Sequence, residues 1–195
     1  MTASKFADFD IFRAPVAVAA SSLTAGRPTV MVIDDDEGIR EMLQAVLNET
    51  FEVITCASGD EGIEALTSKV SAVILDIKMT GKDGFATYAE IKGKYANLPI
   101  IFHSGYQDVR DPYEVINTFR PFGYVFKGSD LSQLTDTLHN AVDYSRVLRD
   151  NVRLIDELQS LNASLENQVE ERTIEVSKRA NELEHANTQL REAKD

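Results

Sequence analysis

From Asp130 to Asp195 the chain contains no proline and no glycine, an interval of 66 residues. These two residues are the commonest helix breakers, proline because it lacks a donor and clashes with the preceding turn, glycine because of its backbone entropy. The economical reading is one uninterrupted helix, with Ser129 as its N-cap. At 1.5 Å per residue such a helix would reach roughly 100 Å, far past the edge of a small domain. Most of it therefore needs a partner outside that domain.

The apolar spacing along this interval supplies one. In a heptad register Tyr144, Asn151, Leu158 and Leu165 take one seam position, and Val147, Leu154 and Leu161 take the other. The seam skips one residue between Leu165 and Val169. It then resumes with Val169, Val176, Leu183 and Leu190, interleaved with Thr173, Ala180 and Asn187. This pattern predicts a parallel coiled-coil homodimer. Asn151 and Asn187 would weaken the seam while fixing its register.

Ahead of the helix, short runs rich in branched apolar residues alternate with amphipathic segments, the pattern of a parallel sheet with crossover helices. Strands are expected at 29–33, 51–56, 72–75, 99–102 and 123–126. Helices are expected at 37–48, after an N-cap at Ser58, at 83–95, and more weakly at 108–119. Five strands with intervening helices make a doubly wound α/β domain. Residues 1–28 show no sustained period and end in the linker-like Ser21-Ser22 and Gly26-Arg27-Pro28 clusters. The expected division is a flexible leader at 1–28, a domain at 29–140 and a coiled-coil signalling helix at 141–195.

A net charge of −12 argues against an electrostatic grip on nucleic acid or anionic membrane. Cys56 stands alone, so it can form neither an internal disulfide nor a cysteine metal site, and it reads as core filling in a reducing cytosol. The apolar run Val16–Ala20 is too short to span a bilayer, and Asp8 and Asp10 spoil the positive start of a signal peptide. A cytoplasmic protein without membrane contact is expected.

In open parallel sheets ligands bind beyond the carboxyl ends of the strands. There the chain collects Asp34, Asp35 and Asp36 after the first strand, Asp76 after the third, Ser104 after the fourth and Lys127 after the fifth. Crowded carboxylates repel one another unless a cation intervenes, and an all-oxygen donor set suits a hard divalent ion such as Mg²⁺. Beside such an ion a carboxylate can attack a phosphoryl group and form an acyl phosphate. Asp76, alone at its strand end, is the nucleophile candidate. Asp34 and Asp35 are the metal-ligand candidates, Lys127 is the point charge for phosphoryl oxygens, and the Ser104 hydroxyl is a hydrogen-bond donor to one of them.

This ordered set resembles the receiver domains of two-component response regulators over about Thr29 to Asn140. The resemblance rests on Val32-Ile33-Asp34-Asp35-Asp36, on Leu75-Asp76-Ile77-Lys78-Met79-Thr80-Gly81-Lys82-Asp83-Gly84, on Phe102-His103-Ser104-Gly105 and on Lys127. It implies a flavodoxin-like sheet of order 2-1-3-4-5, Mg²⁺ as cofactor and Asp76 as phosphoacceptor. It further implies Ser104 and Tyr124 as the switch pair and the Lys78 backbone carbonyl as a further metal ligand. The implied partner is a sensor histidine kinase or phosphotransfer protein. Lys78 and Tyr106 are expected to influence the phosphoryl lifetime. Two positions depart from the family pattern: Thr80 and Gly128 each stand where proline is usual, and the loss at Gly128 predicts a looser loop around Lys127. Tyr106 to Pro121 also differs from the usual fourth helix.

Simpler roles suffice for several neighbours. Asp36 reads as a helix cap, His103 as a packed histidine, and His139 and His185 as parts of a solvated helix face. Beyond self-phosphorylation and autodephosphorylation no turnover chemistry is assigned. Leu165 to Thr173, followed by Leu183 to Asn187, is similar to connectors that precede kinase, cyclase or phosphodiesterase modules, so an output module is expected beyond this segment. Two rivals are a constitutive dimerisation scaffold that is not phosphorylated and a small-molecule phosphatase. The phosphatase would need a general acid near Asp76, which Ile77 and Lys78 do not supply.

Overall fold

The computed structural model describes residues 26–105 and 112–192. Residues 1–25 of the leader expected at 1–28, Tyr106 and the side chains of His185 and Leu190 lie outside the described residues. The chain runs β1 (Thr29–Ile33), α1 (Glu37–Leu47), β2 (Glu52–Cys56), α2 (Gly59–Ala65), β3 (Val70–Leu75), α3 (Gly84–Lys94), β4 (Ile100–Ser104), α4 (Pro112–Phe119), β5 (Gly123–Phe126) and α5 (Leu131–Glu192). The five strands form one parallel sheet in the order β2-β1-β3-β4-β5. This is the doubly wound, flavodoxin-like arrangement.

The sheet divides the core into two layers. On one face Met31, Ile33, Val73, Leu75, Ile100 and Phe102 pack under α2, α3 and α4. On the other, Val30, Val32, Ala72, Ile74, Ile101 and Val125 pack under α1 and the first part of α5. Alternation along each strand sends successive side chains to opposite faces. All six residues of the central strand β3 are buried, as expected for a strand covered on both sides.

Helix starts follow local chemistry. The carboxylates of Asp36 and Asp83 and the hydroxyl of Ser58 accept from the amides of Ile39, Ala86 and Glu61. At α5 the expectation needs correction. The Asp130 carboxylate, not Ser129, accepts from the Ser132 amide (3.0 Å), while the Ser129 hydroxyl turns back to donate to the Phe126 carbonyl (2.7 Å). Two strands are longer than their apolar runs. β3 begins at Val70 rather than Ala72, and β4 extends to Ser104, because ladder pairing with β5 continues through His103 and Ser104.

α5 is one helix of 62 residues. Leu134, Leu138, Ala141 and Val142 bury its first turns against the sheet. Ser145 then donates to the Ser71 carbonyl (2.6 Å), and the Arg149 guanidinium donates to the Ser71 hydroxyl (3.1 Å). Tyr144, assigned to the seam, packs its ring against Phe122 at 5.6 Å between centroids while remaining 44% exposed. Past Arg149 the helix leaves the domain. Leu154, Leu158, Leu161, Leu165, Val169, Val176 and Leu183 are all exposed, as are the off-seam residues Val152, Ile155 and Ile174.

Candidate functional site

β1 lies between β2 and β3, so the chain connections out of β1 and β3 diverge and open a crevice at their carboxyl ends. Ladder bonds carried one residue past the strands fix both sides of it. The Asp34 amide donates to the Cys56 carbonyl (3.1 Å) and the Asp76 amide to the Ile33 carbonyl (2.9 Å). Arg40 on α1 donates to the Asp34 carbonyl (2.7 Å), a tether the sequence reading did not single out. Asp34 and Asp76 are only 1% and 2% exposed.

Lys127 reaches this pair from the end of β5, its Nζ 2.9 Å from Asp34 Oδ2 and 2.8 Å from Asp76 Oδ2. Its backbone is fixed as well: the Lys127 amide donates to the Ser104 carbonyl (2.8 Å), and the Ser129 amide closes a turn onto Phe126 (3.1 Å). Gly128 occupies that turn with φ of +86°, a left-handed conformation that proline cannot adopt. The missing proline is thus replaced by a hydrogen-bonded glycine turn rather than by a loose loop.

Ligand oxygens of Asp34, Asp35 and Asp76 all lie within 4.8 Å of one another. Three carboxylates facing one ammonium leave excess negative charge in a largely buried place, and their all-oxygen donor set fits a hard divalent cation. The Asp35 carboxylate is oriented from across the crevice. Its Oδ2 accepts from both the amide and the hydroxyl of Thr80, each at 2.8 Å. Lys78 follows in the loop after β3, and its amide points at Asp76 Oδ1 from 3.4 Å.

Charge balance is visible in the protonation preferences. Burial pushes the Asp76 carboxyl up to about 6, with the Asp34 charge adding to the effect and Lys127 opposing it. Burial also raises Asp34 against the pull of Lys127. The Lys127 ammonium is disfavoured by burial, but Asp76 and Asp34 more than compensate and hold it above its ordinary value. Asp35 moves the other way: burial raises it, and the two Thr80 donors, together with its own backbone amide and the Lys127 charge, outweigh that and lower it.

The switch candidates lie one strand further over. Leu75 pairs with Phe102 and Phe102 with Tyr124, which puts Ser104 at the end of β4, next to the strand that leads into Asp76, and Tyr124 one strand beyond it on β5. Ser104 is fully buried, and its hydroxyl contacts the Gly105 carbonyl at 3.2 Å. Among the described residues the buried Tyr124 hydroxyl has no hydrogen-bond partner, while its ring packs edge-on to Phe126. His103 is buried among core residues with no partner for Nδ1 among the described residues, and burial, helped by Lys127, pushes it down to about 4. Gly84 was missed as a site residue. A Cβ there would lie 2.1 Å from the Asp76 carbonyl oxygen, so only glycine lets α3 start against the Asp76 backbone. An Asp-Gly step right after a strand-end loop is the signal that could have found it.

Fold and crevice together define a doubly wound α/β domain that presents a lysine-paired carboxylate beside a cation-binding acidic cluster. The chain belongs to the response regulator receiver domain family, whose description matches residues 30–139. Receiver domains are the phosphoacceptor parts of two-component signalling, and that coarse role follows from membership. The chain is 31% identical over 133 residues to the hydrogenase transcriptional regulatory protein HoxA of Cupriavidus necator, covering 68% of this chain and 28% of that protein. It is 31% identical over 129 residues to a putative NtrX-like response regulator of Rickettsia bellii, covering 64% and 27%. The chain therefore spans little more than a quarter of the length of these relatives. Among solved structures, a receiver domain protein from Clostridium thermocellum superposes with a TM-score of 0.57 at 26% identity, covering 62% of this chain and 98% of that one. The response regulator TrrA of Thermotoga maritima, solved in complex with Mg²⁺ and BeF, gives 0.51 at 27% identity, covering 58% and 97%.

Proposed function

We propose that this chain is a Mg²⁺-dependent phosphoacceptor whose Asp76 takes a phosphoryl group from a histidine kinase or phosphotransfer protein. The observation that carries this reading is the double ion pair of Lys127 to Asp34 and Asp76, with Asp35 completing a set of oxygens close enough to share one cation. Asp34, Asp35, Asp76 and the Lys78 carbonyl would hold the ion, which when bound neutralises charge on the transferring oxygens. An Asp76 carboxylate oxygen attacks phosphorus, a P–O bond forms as the donor's P–N bond breaks, and the imidazole nitrogen leaves with the electron pair. Lys127 stays beside the product as counter-charge, and the Ser104 hydroxyl donates to one new oxygen. Two of these groups are already in contact before transfer, so little rearrangement is needed.

A phosphoryl group brings roughly 1.5–2 negative charges and three acceptors, enough to draw Ser104 and Lys127 inward. Tyr124, whose hydroxyl has no hydrogen-bond partner among the described residues, could then occupy the vacated space. Couplings of this kind are typically ~1–3 kcal/mol, and the upper figure would move a 1:99 equilibrium to roughly 60:40. This is a population shift. It reaches an output module through residues 141–195, which pair with a second copy as a parallel coiled coil. The exposed apolar stripe past Arg149 supports that pairing. The protein works in the cytoplasm without binding nucleic acid or membrane through this chain. Among the described residues no helix is long and apolar enough to cross a membrane.

The test is incubation with Mg²⁺ and a small phosphodonor, comparing the native chain with Asp76→Asn by intact mass. An Mg²⁺-dependent phosphoryl adduct lost in the variant is expected. An adduct that persists in Asp76→Asn would move the acceptor to another residue, and none with any donor would return the reading to an unphosphorylated scaffold.

A further inference from the structure

The replacement of the usual proline by Thr80 gives the acidic cluster two donors that proline cannot supply. Both converge on one oxygen, Asp35 Oδ2, at 2.8 Å each. We propose that Thr80 is a positioning residue for Asp35: it occupies Oδ2 and turns Oδ1 toward the divalent cation, so that Asp35 ligates through a single, pre-aimed oxygen. The inference rests on the divalent-cation reading of the cluster.

Asp35 is the one member of the cluster that needs such help. Asp34 and Asp76 are buried and paired with Lys127, which restricts both carboxylates. Asp35 is exposed, has no ion pair among the described residues, and would otherwise lose its rotational freedom only when the cation arrives. Hydrogen bonds from outside the ligand shell commonly orient ligating carboxylates in this way. Two donors on one oxygen also disfavour bidentate ligation, because that oxygen's lone pairs are already engaged.

The platform carrying Thr80 is itself anchored. Gly81 makes the next step with φ of +85°, and Lys82 bridges Asp60 on α2 and Glu90 on α3 at 2.7 Å each. Asp83 then caps α3 through the Ala86 amide (2.8 Å). Thr80 and Asp35 are 45 residues apart in sequence. Their contact therefore ties the loop after β3 to the loop after β1, across the mouth of the crevice.

Three substitutions separate the two donors. Thr80→Ser keeps both, Thr80→Val keeps only the amide, and Thr80→Pro removes both. Divalent-cation affinity is read on the full chain by titration with Mn²⁺ as a paramagnetic probe, with Asp35→Asn alongside and metal-free melting as control. Thr80→Ser should bind like the native chain, Thr80→Pro about 10-fold more weakly or worse, and Thr80→Val in between. Metal-free melting of Thr80→Val should stay close to native, since a positioning role acts on affinity and a merely structural one on stability. If Thr80→Val and Thr80→Pro bind Mn²⁺ as tightly as the native chain while Asp35→Asn does not, the positioning role is wrong and the cation site stands. If the native chain binds no Mn²⁺, the cation reading fails and this inference falls with it; if Asp35→Asn binds Mn²⁺ as tightly as the native chain, the cation site stands and the inference alone falls.

Discussion

Asp76 and His103 are buried on neighbouring strands with opposite protonation problems. Asp76 takes its proton near pH 6 in the folded chain and near its ordinary value of 3.8 when unfolded. Between those values the folded state binds more protons, so the Asp76 contribution to stability falls as pH rises and is fully lost above about pH 6. His103 runs the other way. Its folded value is about 4 against an ordinary 6.5, so stability falls as pH drops from about 6.5 toward 4. In metal-free denaturation series, Asp76→Asn should therefore gain on the native chain toward neutral pH and lose the gain near pH 4. His103→Gln should gain only toward acid. Profiles parallel to the native one would show that neither burial matters energetically. Gly84 belongs to the same scale. Gly84→Ala forces a methyl onto the Asp76 carbonyl, and about 1–3 kcal/mol of stability should go with it, together with the rate of phosphoryl transfer. Unfolding midpoints and adduct formation on the same sample check both.

At the scale of elements, β3 connects the two ends of the domain. Its carboxyl end leads into Asp76, and Ser71 near its amino end holds α5 through Ser145 and Arg149. Ser145→Ala should cost about 1 kcal/mol, since it leaves the Ser71 carbonyl short of a buried donor. Hydrogen exchange of 141–149 should rise in the same variant if this clamp fixes where the helix leaves the sheet. Unchanged exchange would place the anchor in the apolar contacts of Leu138 and Val142 alone.

For the whole molecule, the decisive quantity is what covers the far half of α5. An isolated helix with its leucines in water is marginal, and association is the direct way to bury them. Light scattering on the full chain should give twice the monomer mass, and the double variant Leu158→Lys with Leu161→Lys should give the monomer mass while the domain still melts cooperatively. A dimer that survives the double variant would move the interface onto the receiver domain.

Much of this was open to reading from residues alone. Strand periodicity, the aspartates at strand ends and the 66-residue tract free of proline and glycine gave sheet, crevice and helix. Each of these is a local pattern, set by backbone propensity and the alternation of apolar side chains. What stayed hidden depends on residues far apart in the chain. Thr80 reads as a lost proline until the fold brings its donors to Asp35, and heptad spacing at Tyr144 gives no sign of the Phe122 ring that lies beside it. Gly128 reads as a loosened loop until the turn closes on Phe126. Side-chain type and spacing determine which elements form, but which donor meets which acceptor is decided only when packing brings distant segments within hydrogen-bonding distance.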